Sequence, residues 1–143
     1  MEILKYTEVE NYLGYFDHNY KDFEVASIYL TSENEIVKIG NFISTIFNIP
    51  RPITYKRLNL DVIKEDGKDF ETLALCWTDW ENDIPVKHHI EMSIIGSTLL
   101  TLLHELTHAY EPGIGHDNNF FINYKKIVYY AESKIDFILG CAD

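Results

Sequence analysis

The sequence predicts an α+β fold, ordered as an N-terminal helix, a short three-stranded sheet, a motif helix and a C-terminal helix, in a single domain spanning residues 1–143. Three observations carry this. Apolar residues recur at helical spacing through 36–47, 99–110 and 120–138. Between the first two of these runs the period changes to two, over 58–62, 73–77 and 90–94. An Asp66-Gly67 pair separates the first two alternating runs, which signals a hairpin.

Residues 1–30 are the least legible. Val9, Leu13 and Phe16 suggest a short helix, and Tyr6, Tyr12, Tyr15, Tyr20, Phe23 and Tyr29 read as core cover rather than a ligand site. His18 among them reads as a surface residue. Ser32 followed three residues on by Glu35 is a capping box, which opens a helix with Ile36, Ile39, Ile43 and Phe47 on its buried stripe. Asn48-Ile49-Pro50-Arg51-Pro52 ends that helix, because proline removes a donor and restricts the residue before it.

From Ile53 the pattern is extended. Leu58, Leu60 and Val62 alternate with polar residues, as do Leu73, Leu75 and Trp77 after the turn Glu65-Asp66-Gly67-Lys68-Asp69. Trp77 to Pro85 reads as a polar connection. Ile90, Met92 and Ile94 then mark a third strand, whose edge is expected to receive an extended substrate. His88 and His89 lie on it, but adjacent strand residues face opposite ways, so the pair does not chelate one metal and reads as solvated or substrate-facing.

Gly96-Ser97 breaks the strand and is expected to cap the motif helix. Leu99, Leu102, Leu103, Leu106 and Tyr110 form that helix's apolar stripe. His104-Glu105-Leu106-Thr107-His108 is a His-Glu-x-x-His motif. At 3.6 residues per turn, His104 and His108 point the same way, roughly opposite the leucine stripe and toward an expected cleft. Two imidazoles so placed can hold one Zn²⁺ at ~2.0–2.1 Å each, with Glu105 as general base toward a water on the metal.

A catalytic zinc takes three protein ligands. Pro112-Gly113-Ile114-Gly115 ends the helix abruptly and can fold the chain back, and His116 is the first histidine it delivers. Glu111 and Asp117 are rivals, since carboxylates also serve. Asp117 is also a candidate N-cap for a last helix with Phe120, Tyr124, Ile127, Val128, Ala131, Ile135 and Ile138 on its buried stripe.

Composition narrows the classes. Hydrophobic residues make up 46% and aromatics 14%, which argues against disorder. No apolar run approaches the ~20 residues of a membrane span, so no membrane partner is expected. The first residues lack the pattern of a signal peptide, and Cys76 and Cys141 form neither a metal-spaced pair nor a disulfide framework. A reduced, cytoplasmic protein is expected. The net charge of −11 opposes nucleic-acid binding, which rests on Lys and Arg at phosphates; Lys125-Lys126 and Arg51 to Arg57 read as solvated surface.

The segments Leu102-Leu103-His104-Glu105-Leu106-Thr107-His108-Ala109-Tyr110 and Gly115-His116-Asp117, with Phe120 following, resemble the SprT-like and WLM zinc metallopeptidases. The specific match covers about residues 98–121. The resemblance implies a small zincin-like domain with His104, His108 and His116 as zinc ligands and Glu105 as catalytic acid/base, acting on a protein or peptide substrate. Those families are associated with cleaving proteins crosslinked to DNA. This chain shows no evident DNA-binding extension and no cysteine-rich zinc ribbon, so the chemistry carries over further than the substrate. The same ligands would also serve a zinc hydrolase of a non-peptide amide, or a zinc-binding interaction protein without turnover.

Overall fold

The computed structural model describes residues 2–3, 15–64 and 71–142, with side chains for 17–64 and 72–141. The helix expected around Val9 and Leu13, the side chains of Tyr6, Tyr12 and Tyr15, and the Glu65–Asp69 turn lie outside these.

The described chain is mixed α+β. Strand β1 (Glu2–Ile3) precedes a 3₁₀ helix (Tyr15–Tyr20), helix α1 (Glu24–Ser27) and strand β2 (Ile28–Tyr29), which pairs antiparallel with β1. Helix α2 (Glu33–Ile46) follows, then β3 (Ile53–Arg57), the short antiparallel pair β4 (Ile63–Lys64) and β5 (Glu71–Thr72), and the long strands β6 (Ala74–Glu81) and β7 (Ile84–Met92). The chain closes with α3 (Leu99–Tyr110), α4 (Asn118–Ser133) and α5 (Ile135–Ala142).

Helix α2 begins where the capping box placed it. Ser32 Oγ accepts from the Glu35 N–H at 3.2 Å, while the Glu35 carboxylate reaches one residue further back, to the Thr31 N–H at 2.9 Å. Ile36, Ile39 and Ile43 are fully buried, and Asn48 ends the helix in the left-handed region at φ 56°. His18 is exposed, as expected.

The sheet departs from expectation in extent and in order. Its order is β3-β7-β6, with β7 parallel to β3 and antiparallel to β6. The third strand in sequence is therefore central, and β3 and β6 are the edges. No strand covers 58–62; there the backbone pairs irregularly with the chain leaving β7, through Leu58 N–H to Met92 O and Ile94 N–H to Leu60 O. Trp77 to Pro85 is not a loop but the body of a hairpin. Asn82 and Asp83, at φ 50° and 63°, form its two-residue turn, and positive φ at both central positions matches the right-handed strand twist.

One sheet face is buried under the helices, with α2 against β3 and α3 against β6 and β7. Tyr55, Ala74, Ile90 and Met92 point into that layer and join the leucines of α3 in one core. Gly96 lets the chain turn from sheet to helix: a Cβ there would lie 2.2 Å from the Leu73 carbonyl oxygen. The cap of α3 is Thr98, whose Oγ1 accepts from the Thr101 N–H at 3.1 Å, rather than Ser97, whose hydroxyl donates to Ser93 O. The last apolar stripe is divided between α4 and α5, because a break at Lys134 turns the chain and lays α5 against α2 with Ile138 buried.

His88 and His89 do face opposite ways. His89 lies on the outer sheet face, stacked on Trp77 at 5.0 Å and bonded to Asp79 and Thr54. His88 is buried rather than solvated. Arg51 Nε donates to His88 Nε2 at 2.7 Å, so His88 carries its proton on Nδ1 and donates to Thr78 Oγ1 at 2.8 Å. Arg51 Nη2 also donates to Ala109 O at 3.1 Å, tying the end of α3 to the sheet, so Arg51 is not open surface either.

Burial, then the charges of Arg51 and His89, push the His88 pKa down to about 4. The unfolded chain therefore binds the extra proton first as pH falls. Stability from this group is complete above 6.5, its ordinary value, and is lost as pH falls toward about 4. The expected loss across that window is about 3 kcal/mol. Denaturant melts of metal-free protein should lose stability across that window more steeply in the wild type than in His88→Gln, where the slope left by His108 and His116 remains. Identical pH slopes would show that His88 is not held neutral by the fold.

Candidate metal centre

Helix α3 supplies two imidazoles one turn apart, and the Pro-Gly-x-Gly turn supplies a third. Gly113 and Gly115 take φ of 92° and 59°, values that glycine adopts without cost, and they turn the chain back over α3. His104 Nε2 and His108 Nε2 then lie 3.0 and 3.1 Å from His116 Nε2. The three ligand atoms fall within 4.8 Å of one another. A tetrahedral ion with nitrogens at ~2.0–2.1 Å holds them about 3.3 Å apart, so this donor set fits a zinc-sized cation.

The rival carboxylates are engaged elsewhere. Glu111 Oε2 accepts from Asn123 Nδ2 at 3.0 Å, and Asp117 caps α4 by accepting from the Phe120 N–H at 3.0 Å. Among the described residues the metal-compatible cluster consists of the three histidines.

The face of α3 opposite the leucine stripe is not an open cleft. His104 is 8% exposed and Glu105 6%, His108 is half-buried, and His116 is exposed. The cover comes from α4 and the 3₁₀ helix. Phe120 sets its ring 4.5–5.0 Å from those of His104, His108 and His116. Asp17, 3% exposed, places Oδ1 2.9 Å from His104 Nδ1, and the same oxygen accepts the Tyr124 hydroxyl at 2.6 Å.

This packing shifts the proton affinities of the clustered groups. His104 loses some proton affinity to burial, but the Asp17 hydrogen bond and charge outweigh that and raise its pKa. His108 is pushed down to about 3 by burial and by His104 and His116, so it is neutral with a lone pair to give. His116 is lowered by burial and by His104. Glu105 is raised to about 7, chiefly by burial and further by Asp17, with His104 opposing. A carboxyl near 7 is matched to moving protons at neutral pH. Cys76, on the inner face of β6, feels the Glu105 charge and is itself held protonated by burial.

Asp17 was not legible as part of this site: it lies 87 residues from His104, on a segment whose sequence carries no motif. Tyr124 was legible as buried, from its place in the apolar stripe, but not as a donor to Asp17. The β6–β7 hairpin also reaches the site, with Trp80 3.6 Å from where a Cβ on Gly113 would stand. No helix among the described residues is long and apolar enough to cross a membrane. No protein-family model, no curated protein and no solved structure matches the chain.

Proposed function

We propose that the chain is a zinc-dependent metallopeptidase with a zincin-like domain, in which His104, His108 and His116 hold the metal and Glu105 is the general base. The observation that supports this most directly is the convergence of three imidazole Nε2 atoms, two of them from a His-Glu-x-x-His helix that also carries a buried carboxyl raised to about 7. Zinc, when bound, supplies Lewis-acid chemistry, lowering the pKa of a water toward ~7 and polarising a carbonyl.

The chain's own groups do the rest. Glu105 takes the proton of the attacking water and returns it to the leaving amine. Strand β6, not the central β7, offers the sheet edge against α3, and an extended peptide can add to it through backbone hydrogen bonds. The net charge of −11 opposes nucleic acid, which only the family resemblance brings in as a possible partner.

Purified protein should retain about one zinc per chain and cleave an unstructured protein substrate, losing cleavage to a chelator and regaining it with added zinc. Failure to retain zinc, or cleavage indifferent to chelation, would overturn the proposal. Zinc retention without peptide cleavage would favour a non-peptide amide hydrolase or a binding protein.

A further inference from the structure

Resting on the metal-centre reading above, we propose that Asp17, locked in place by Tyr124, is the positioning residue that makes His104 a competent metal ligand. The geometry is specific. A carboxylate oxygen can only accept from His104 Nδ1 at 2.9 Å, so a neutral His104 carries its proton there and presents its lone pair at Nε2. Nε2 is the atom 3.0 Å from His116 Nε2.

Without that acceptor the two imidazole tautomers compete, and the tautomer protonated on Nε2 cannot bind a cation through that atom. The ring could also rotate about its bond to the helix. Asp17 removes both freedoms. The Tyr124 hydroxyl, 2.6 Å from the same Oδ1, holds the carboxylate against rotation. Tyr124 is fixed in turn by the edge of Tyr20 at 5.2 Å and by burial in the α4 stripe.

The burial of Asp17 supports the assignment. At 3% exposure the carboxylate has lost its hydration, a cost that hydrogen bonds alone do not offset. The positive charge it needs lies across the 2.9 Å contact to His104, the ring that the metal-centre reading makes a ligand. The arrangement joins three distant stretches at one oxygen atom: the 3₁₀ helix, α3 and α4.

The test is zinc affinity by chelator competition, together with the visible absorption of cobalt-loaded protein and the melting temperature of metal-free protein. Asp17→Ala should weaken zinc binding about 10–100-fold and shift the cobalt bands. Asp17→Asn keeps an oxygen able to accept both donors but not the charge, and should lose less. Tyr124→Phe leaves Asp17 free to turn and should lose a few-fold. If Asp17→Ala does not fold, the isosteric Asn and Phe variants carry the test.

A purely structural Asp17 would lower the metal-free melting temperature and leave zinc affinity and the cobalt spectrum unchanged. That result overturns the inference while leaving the metal centre standing. A wild-type protein that binds neither zinc nor cobalt overturns both.

Discussion

Glu105→Gln should reduce peptide cleavage by roughly 10²–10⁴-fold while leaving one zinc bound, because it removes proton transfer without touching a ligand. The structure changes what should happen to stability. Glu105 is 6% exposed rather than facing a water-filled cleft, and burial raises its pKa to about 7. A carboxyl that takes up its proton more readily in the folded state loses stability as pH rises from 4.5 through about 7, since the unfolded chain releases the proton first. Glutamine has no such proton to lose. Well above pH 7, the metal-free variant should therefore melt at or above the wild-type temperature, an exchange of activity for stability seen at strained functional sites. Cleavage, zinc content and melting temperature should be scored together. Unchanged cleavage at full zinc occupancy would remove Glu105 from the mechanism. A large fall in melting temperature would make it a structural partner instead.

His116→Ala is expected to weaken zinc binding by more than the roughly 10–100-fold that follows loss of a group one shell out. His116 is exposed on the turn after α3, so the metal-free protein should change by no more than about 0.5 kcal/mol. The neighbouring carboxylates should behave in the opposite way. Asp117→Ala deletes the α4 cap and should cost about 0.5–2 kcal/mol with zinc affinity retained. Glu111→Ala breaks one hydrogen bond to Asn123 and should also leave zinc in place. Titration of zinc against a competing chelator, beside denaturant melts of metal-free protein, separates the cases. Full zinc affinity in His116→Ala, with loss in Asp117→Ala or Glu111→Ala, would move the third ligand to a carboxylate.

The features legible in the sequence are those set by interactions a few residues long. The α3 leucines are buried where the period placed them, and Ser32 and Asp117 accept the N–H groups three residues ahead, as their types and positions require. The meeting of His104 with His108 follows from helical pitch, and the delivery of His116 follows from a turn whose glycines adopt positive φ. The hairpin joining β6 to β7 was equally local, but Asn82-Asp83 is a weaker signal than Asp-Gly and lies in a polar stretch that looked like a loop.

By itself, then, the sequence determined the mixed α+β class, the apolar stripes of the main helices, the caps at Ser32 and Asp117, and the placing of His104 and His108 on one face of one helix, with His116 one of three candidates for the next ligand. Tertiary structure alone decided the strand order, which put the third strand at the centre of the sheet and made β6 the edge beside α3. It also decided that both faces of α3 are covered, that His88 is buried against Arg51, and that Asp17 reaches His104 across 87 residues. The division has a physical cause. Periodicity, capping and turn chemistry are energies of neighbouring residues and can be read in order along the chain. The partner of a strand edge or of a buried polar group depends on which surfaces pack together, and a whole-chain balance of burial and hydrogen bonding settles that.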